Sequence, residues 1–159
     1  MCDCYRFDRT GSCGRYRNDS YKSVSVVGLD LDPDPLATAQ RNERRIATSS
    51  AVDWLRADAT RAPLSPNVPT TVVMNPPFGA QSGNVHADRG FLATAADIAD
   101  VSYSIHNADS ADFVESFATD NAGEVTAAFR AEFDLPRQFE FHEEDRQTLD
   151  VEVFRIEWC

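Results

Sequence analysis

Basic charge is scarce in this sequence. Lysine occurs once, at Lys22, and 15 basic residues face 26 acidic ones, for a net charge of −11. Such a surface repels polyphosphate at low ionic strength, so nucleic-acid binding through a broad basic face is excluded. Two readings survive. Either the substrate is not a nucleic acid, or the chain works in a salt-rich, halophilic cytoplasm, where about 1 M salt shortens the screening length to roughly 3 Å. The acidic, lysine-poor composition favours the second. No apolar run approaches the roughly 20 residues that span a bilayer, and no charged-then-apolar leader is present. The expected location is therefore cytoplasmic, with no membrane partner. The four cysteines, Cys2, Cys4, Cys13 and Cys159, lack the second pair or the spaced histidines of a zinc site. They read as free thiols in a reducing compartment, and no metal is expected.

What is present divides at Ser23. Residues 1–23 show neither a 2- nor a 3.6-residue apolar period and carry few aliphatics, so this atypical segment is expected to be poorly structured. Residues 24–159 are regular. Val24 to Asp30 reads as a buried parallel strand. Asp34 and Pro35 then open a helix to about Ile46, with Leu36, Ala39 and Ile46 facing inward. Strands follow at Val52–Ala57, Thr70–Met74 and Val101–Ile105. Helices are expected at Asp88–Ala99, with Phe91, Leu92 and Ala95 inward, and at Ser110–Asp120, with Phe113, Val114 and Phe117 inward. Alternation of Val125, Ala127, Phe129, Ala131 and Phe133, and again from Leu149 to Trp158, predicts an antiparallel pair, separated by a charged excursion over 139–148. Strand–helix alternation closed by such a pair gives an α/β, Rossmann-like, mostly parallel sheet.

Ligands of such sheets bind at the carboxyl ends of the strands, which singles out Asp30, Asp58, Asn75 and His106. A carboxylate at Asp30 can accept hydrogen bonds from a ribose diol, and one at Asp58 can accept from an adenine amino group. Asn75-Pro76-Pro77-Phe78 is the most informative run. Its two prolines remove donors and leave carbonyl oxygens facing outward. The Asn75 side-chain oxygen and the Pro76 carbonyl can then accept both hydrogens of a planar NH2 group. These bonds draw the nitrogen lone pair out of conjugation for attack on an electrophilic methyl group. Phe78 offers a stacking face for an unpaired base, worth roughly 1–3 kcal/mol.

Residues VVGLDLDPD, the Asp58 strand end, VVMNPPFG and Tyr103-Ser104-Ile105-His106 resemble class I S-adenosylmethionine-dependent methyltransferases. The resemblance is to the archaeal and eukaryotic methyltransferase-like family that forms N6-methyladenosine in small-subunit ribosomal RNA, and it covers about residues 24–158. It implies S-adenosylmethionine as cofactor, with Asp30 and Leu31 at its ribose, Asp58 and Ala59 at its adenine, and Asn75 beside it. It further implies catalysis by Asn75, Pro76, Pro77 and Phe78, and contact of Phe78, Gly79 and His106 with the target, although His106 is read equally well as a buried structural histidine. Ribosomal RNA as substrate and a small zinc-binding activator protein as partner are implied in the same way.

One departure is plain. The family's first strand ends in a glycine-rich loop that passes the cofactor, where a Cβ would collide with the ligand. Here Gly11-Ser12-Cys13-Gly14 follows no aliphatic strand, so that first strand is absent or altered and activity could be impaired. Two other readings stay open. A protein glutamine N5-methyltransferase meets the same NH2 problem with the same loop, and a non-catalytic methyltransferase-fold domain would only bind a partner.

Overall fold

The computed structural model describes residues 25–46, 52–76, 87–136 and 146–159. In chain order these form β1 (Val26–Asp30), α1 (Pro33–Ile46), β2 (Val52–Arg56), a 3-10 turn (Ala59–Arg61), β3 (Thr71–Met74) and α2 (Ala87–Ile98). Next come β4 (Val101–Asn107), α3 (Ala111–Asp120), β5 (Gly123–Pro136) and β6 (Arg146–Trp158). The segment 1–23 lies outside the described residues, as does the chain from 77 to 86.

Helix α1 begins two residues before the expected start. Asp30 accepts the Asp32 N–H at 2.8 Å, and Asp32 in turn accepts the Asp34 N–H at 3.0 Å. The chain therefore turns at once on leaving β1, Asp32 caps the helix, and Pro33 takes the first position, where a missing N–H costs nothing. Leu36 is buried as expected, whereas Ile46, at the last position, is 68% exposed. Glu43 ties α1 to β2, accepting from the Val52 N–H at 2.8 Å and from Trp54 Nε1 at 2.7 Å. These bonds, Trp54 first, hold its carboxyl below the usual range.

Strands β1 and β2 pair in parallel, as do β3 and β4, while β6 joins both β4 and β5 antiparallel, giving the order β3-β4-β6-β5. Among the described residues no strand lies between β1 and β3. Leu29 of β1 and Val72 and Met74 of β3 nevertheless share one apolar core with Leu92, Val114, Phe154 and Ile156. A cavity of about 200 Å³, lined by Val27, Leu29, Val72, Met74, Phe91 and Ala95 among others, separates the two strand groups. Full burial of side chains such as Phe154 and Ile156 contributes about 1.5–3 kcal/mol each, which lets the short strands hold together.

Three expectations shift in the terminal half. Strand β4 continues to Asn107 because β6 pairs with it as far as Asn107–Val151, so His106 lies inside the strand rather than past it. Strand β6 starts at Arg146 and takes the last part of the expected excursion, since β5 pairs it out to Pro136–Arg146. The register slips between Val125 and Ala127, so Val125 faces Ile156 but Ala128, not Ala127, faces Phe154. A one-residue bulge of this kind sends every later side chain to the opposite face. Phe129, one of the alternating apolar residues, is accordingly 57% exposed.

Candidate active site

Asp30, Asp58, Asn75 and the end of β4 all lie at the carboxyl edge of the parallel strands. Asp30 spends one oxygen on the Asp32 N–H, while its Oδ2 is buried without a hydrogen-bond partner among the described residues. A buried carboxylate oxygen left unpaired is costly, so it marks a place where a donor is expected. Leu31 beside it is 63% exposed, with its carbonyl accepting from Arg56 Nε at 3.1 Å. The edge of β1 thus offers one unsatisfied acceptor and one open apolar side chain.

Asp58 is differently employed. Its Oδ1 accepts the Thr60 N–H at 2.9 Å and the Thr60 hydroxyl at 2.7 Å, and its Oδ2 faces the Arg61 guanidinium at 3.2 Å. The Thr60 bonds above all keep the carboxyl below its ordinary range, so it stays charged. Asp58 is therefore the cap of the 3-10 turn, with only its remaining lone pairs free for a ligand. Ala59, the next residue, is buried in the core.

Strand β3 delivers Asn75 exposed and Pro76 buried, immediately beyond the Met74–Ser104 pair with β4. Pro77, Phe78 and Gly79 lie outside the described residues. His106 is 1% exposed, with Nε2 2.9 Å from Ser104 Oγ and Nδ1 3.6 Å from Asp88 Oδ2. Its ring meets Phe154 edge-on, with centroids 5.7 Å apart. Burial pushes the imidazole below its ordinary value, against a smaller opposing pull from Asp88. This histidine does not reach solvent. Asp88 itself carries a second buried oxygen, Oδ1, without a partner among the described residues. Sequence reasoning placed Asp88 only as the first residue of a helix, and nothing in its local spacing signals a contact with β4. Among the described residues no cluster of three or more His, Cys, Asp or Glu side chains could hold a metal, and no helix is long and apolar enough to cross a membrane.

An unpaired carboxylate oxygen at the end of one strand and an Asn-Pro corner at the end of another suit a nucleoside-bearing cofactor beside a reacting amine. Residues 9–134 match the family described as RMKL-like, methyltransferase domain (UPF0020). The chain belongs to this family. Within it, the domain is 33% identical over 141 residues to "Uncharacterized protein MJ0284" of Methanocaldococcus jannaschii, covering 83% of this chain and 63% of that protein. It is 29% identical over 132 residues to the zebrafish (Danio rerio) protein named rRNA N(6)-adenosine-methyltransferase METTL5, covering 82% and 63%. The chain thus spans about 63% of the length of these curated relatives. The crystal structure of PH1948 from Pyrococcus horikoshii, a protein named only provisionally as an RNA methyltransferase, superposes with a TM-score of 0.67. It is 30% identical, and the match covers 85% of this chain and 64% of that one. The fold is the Rossmann-like methyltransferase α/β fold with a terminal antiparallel pair. Membership of the methyltransferase family implies S-adenosylmethionine as the bound group, and the unpaired Asp30 Oδ2 is suited to a ribose hydroxyl of that group.

Proposed function

We propose that this chain is an S-adenosylmethionine-dependent methyltransferase acting on the N6 amino group of adenine in RNA, with ribosomal RNA as the substrate. The observation that carries this reading is the exposed Asn75 at the carboxyl end of β3, followed at once by buried Pro76. Burial of Pro76 fixes the backbone, and the open Asn75 amide is left to meet a substrate. The names of the eukaryotic relatives, rRNA N(6)-adenosine-methyltransferases, support adenine in ribosomal RNA as the target.

In this reading the cofactor supplies an electrophilic methyl group. Asp30 Oδ2 accepts from its ribose, with Leu31 alongside, and Asp58 with Ala59 borders its adenine. Asn75 Oδ1 and the Pro76 carbonyl each accept one hydrogen of the target NH2. They hold the nitrogen pyramidal enough to present its lone pair, and preorganised acceptors of this kind act without reorganisation cost. Pro77 stiffens the corner, while Phe78 and Gly79 receive the flat face of the base. His106 serves from behind the site, since burial keeps it from the base itself. A small zinc-binding activator protein remains part of the proposal as a partner of the complete enzyme.

The test is methyl transfer from labelled S-adenosylmethionine to ribosomal RNA, run beside a glutamine-bearing peptide, in low and in molar salt. Label in N6-methyladenosine supports the reading, and Asn75→Ala is expected to lower transfer at least roughly hundredfold while cofactor binding persists. Label in the peptide alone would replace it with glutamine methylation. Cofactor binding lost in Asn75→Ala would refute the assigned role of the amide.

A further inference from the structure

The first turn of α2 touches three other elements through three consecutive residues. Asp88 faces His106 of β4 at 3.6 Å. The Arg89 guanidinium lies over the rings of Phe113 and Phe117 in α3, at 5.4 and 5.8 Å. Gly90 lies so close to the 3-10 turn that a Cβ there would stand 3.0 Å from Thr60 Cγ2. Thr60 is the residue that donates both its N–H and its hydroxyl to Asp58.

We propose that Asp88 and His106 are a positioning pair that locks this turn against β4 and thereby sets the placement of the Asp58 turn. At 3.6 Å the contact is longer than a hydrogen bond, and His106 Nδ1 and Asp88 Oδ1 are both buried without a hydrogen-bond partner among the described residues, so the pairing is electrostatic. A carboxylate can only accept, so the neutral ring carries its proton on Nδ1, facing Asp88. Nε2 is then the acceptor, and Ser104, at 2.9 Å and fully buried, is the donor. Among the described residues the other charge acting on the ring, Glu152, is already engaged. Glu152, the cross-strand neighbour of His106 on β6, gives one oxygen to the Ser110 N–H and the other to Arg130 of β5, which also holds Asp109. Phe154 closes the ring's edge with hydrocarbon. Asp88 is left as the one carboxylate facing an imidazole nitrogen with no other partner among the described residues.

The consequence for the cofactor rests on the function proposed above, because that reading places Asp58 at its adenine. The pairing of Asp88 with His106 does not. The test therefore has two arms on the full chain. Nitrogen-15 spectra of the imidazoles, without ligand, are expected to show His106 as the Nδ1–H tautomer, and to show that preference lost in Asp88→Ala. Denaturation of Asp88→Ala, His106→Asn and the double variant is expected to give non-additive losses. An Nε2–H tautomer, or additive losses, would overturn the proposal. In the second arm, calorimetric titration of S-adenosylmethionine is expected to show affinity weakened roughly three- to tenfold by either variant, with no further loss in the double variant. Unchanged affinity in both variants, beside an Asp58→Ala control that loses binding, would overturn the link to Asp58. A folded wild-type chain that binds no cofactor would sink the functional reading, and the first arm would then decide the positioning pair by itself.

Discussion

Replacement of Gly28 by alanine tests how β1 is held in place beside Asp30. A Cβ at this position would stand inside van der Waals contact of Trp54 Cζ3 and Cε3, with Cη2 at 3.1 Å. The indole has nowhere to slide without cost, because its Nε1 donates to Glu43 Oε2 at 2.7 Å and the same carboxylate holds the Val52 N–H. Either the ring moves by about an ångström and breaks that bond, or β1 lifts from β2. Overpacking of this size costs roughly 1–3 kcal/mol. The half-buried Glu43 contact adds to that loss only where the ring leaves it. Urea unfolding followed by tryptophan fluorescence and far-ultraviolet circular dichroism, in molar salt, would measure the loss as a lower midpoint. The decisive comparison is a Trp54→Leu background, where the clash disappears and Gly28→Ala should be nearly neutral. An equal loss in both backgrounds would show that the ring is not the obstacle, and a loss below about 0.5 kcal/mol in the natural background would refute the packing argument.

The remaining predictions concern charge and protonation. Asp30→Ala removes the unpaired Oδ2 together with the bond from the Asp32 N–H, and is expected to weaken S-adenosylmethionine binding roughly ten- to hundredfold by calorimetry while lowering stability by no more than about one hydrogen bond, roughly 0.5–1.5 kcal/mol. Burial lowers the His106 pKa below its ordinary value of 6.5, so the folded state binds fewer protons than the unfolded chain. Its contribution is therefore complete above 6.5 and lost as pH falls from there through the depressed folded value. Midpoints measured across that window should fall less steeply in His106→Asn than in the natural chain. With a net charge of −11, added potassium chloride should raise the melting temperature as self-repulsion is screened. A melting temperature that stays flat up to molar salt would contradict the salt-rich reading of the composition.

Much of the fold was legible because its signals are local. The apolar runs of β1, β2 and β3, and the inward faces of α2 and α3 at Leu92, Ala95, Val114 and Phe117, depend on near neighbours in the chain. Asn75 and Asp30 could be placed for the same reason, since the end of an apolar strand is visible in the sequence. The start of α1 was missed by two residues because Asp-Pro-Asp-Pro offers two equivalent caps. Asp30 chose between them by drawing the Asp32 N–H back onto its own side chain.

The sequence by itself determined the order of elements, the acid-rich charge and the Asn75-Pro76 corner at the end of a strand. Each of these is written in consecutive residues. Only the tertiary structure decided that Asp30 Oδ2 is buried, that His106 is buried inside β4, and that Asp88 faces it from α2. It alone decided that a bulge between Val125 and Ala127 turns Phe129 outward. Such facts depend on partners far apart in the chain, and a slip of one residue in strand register reverses which side chains meet.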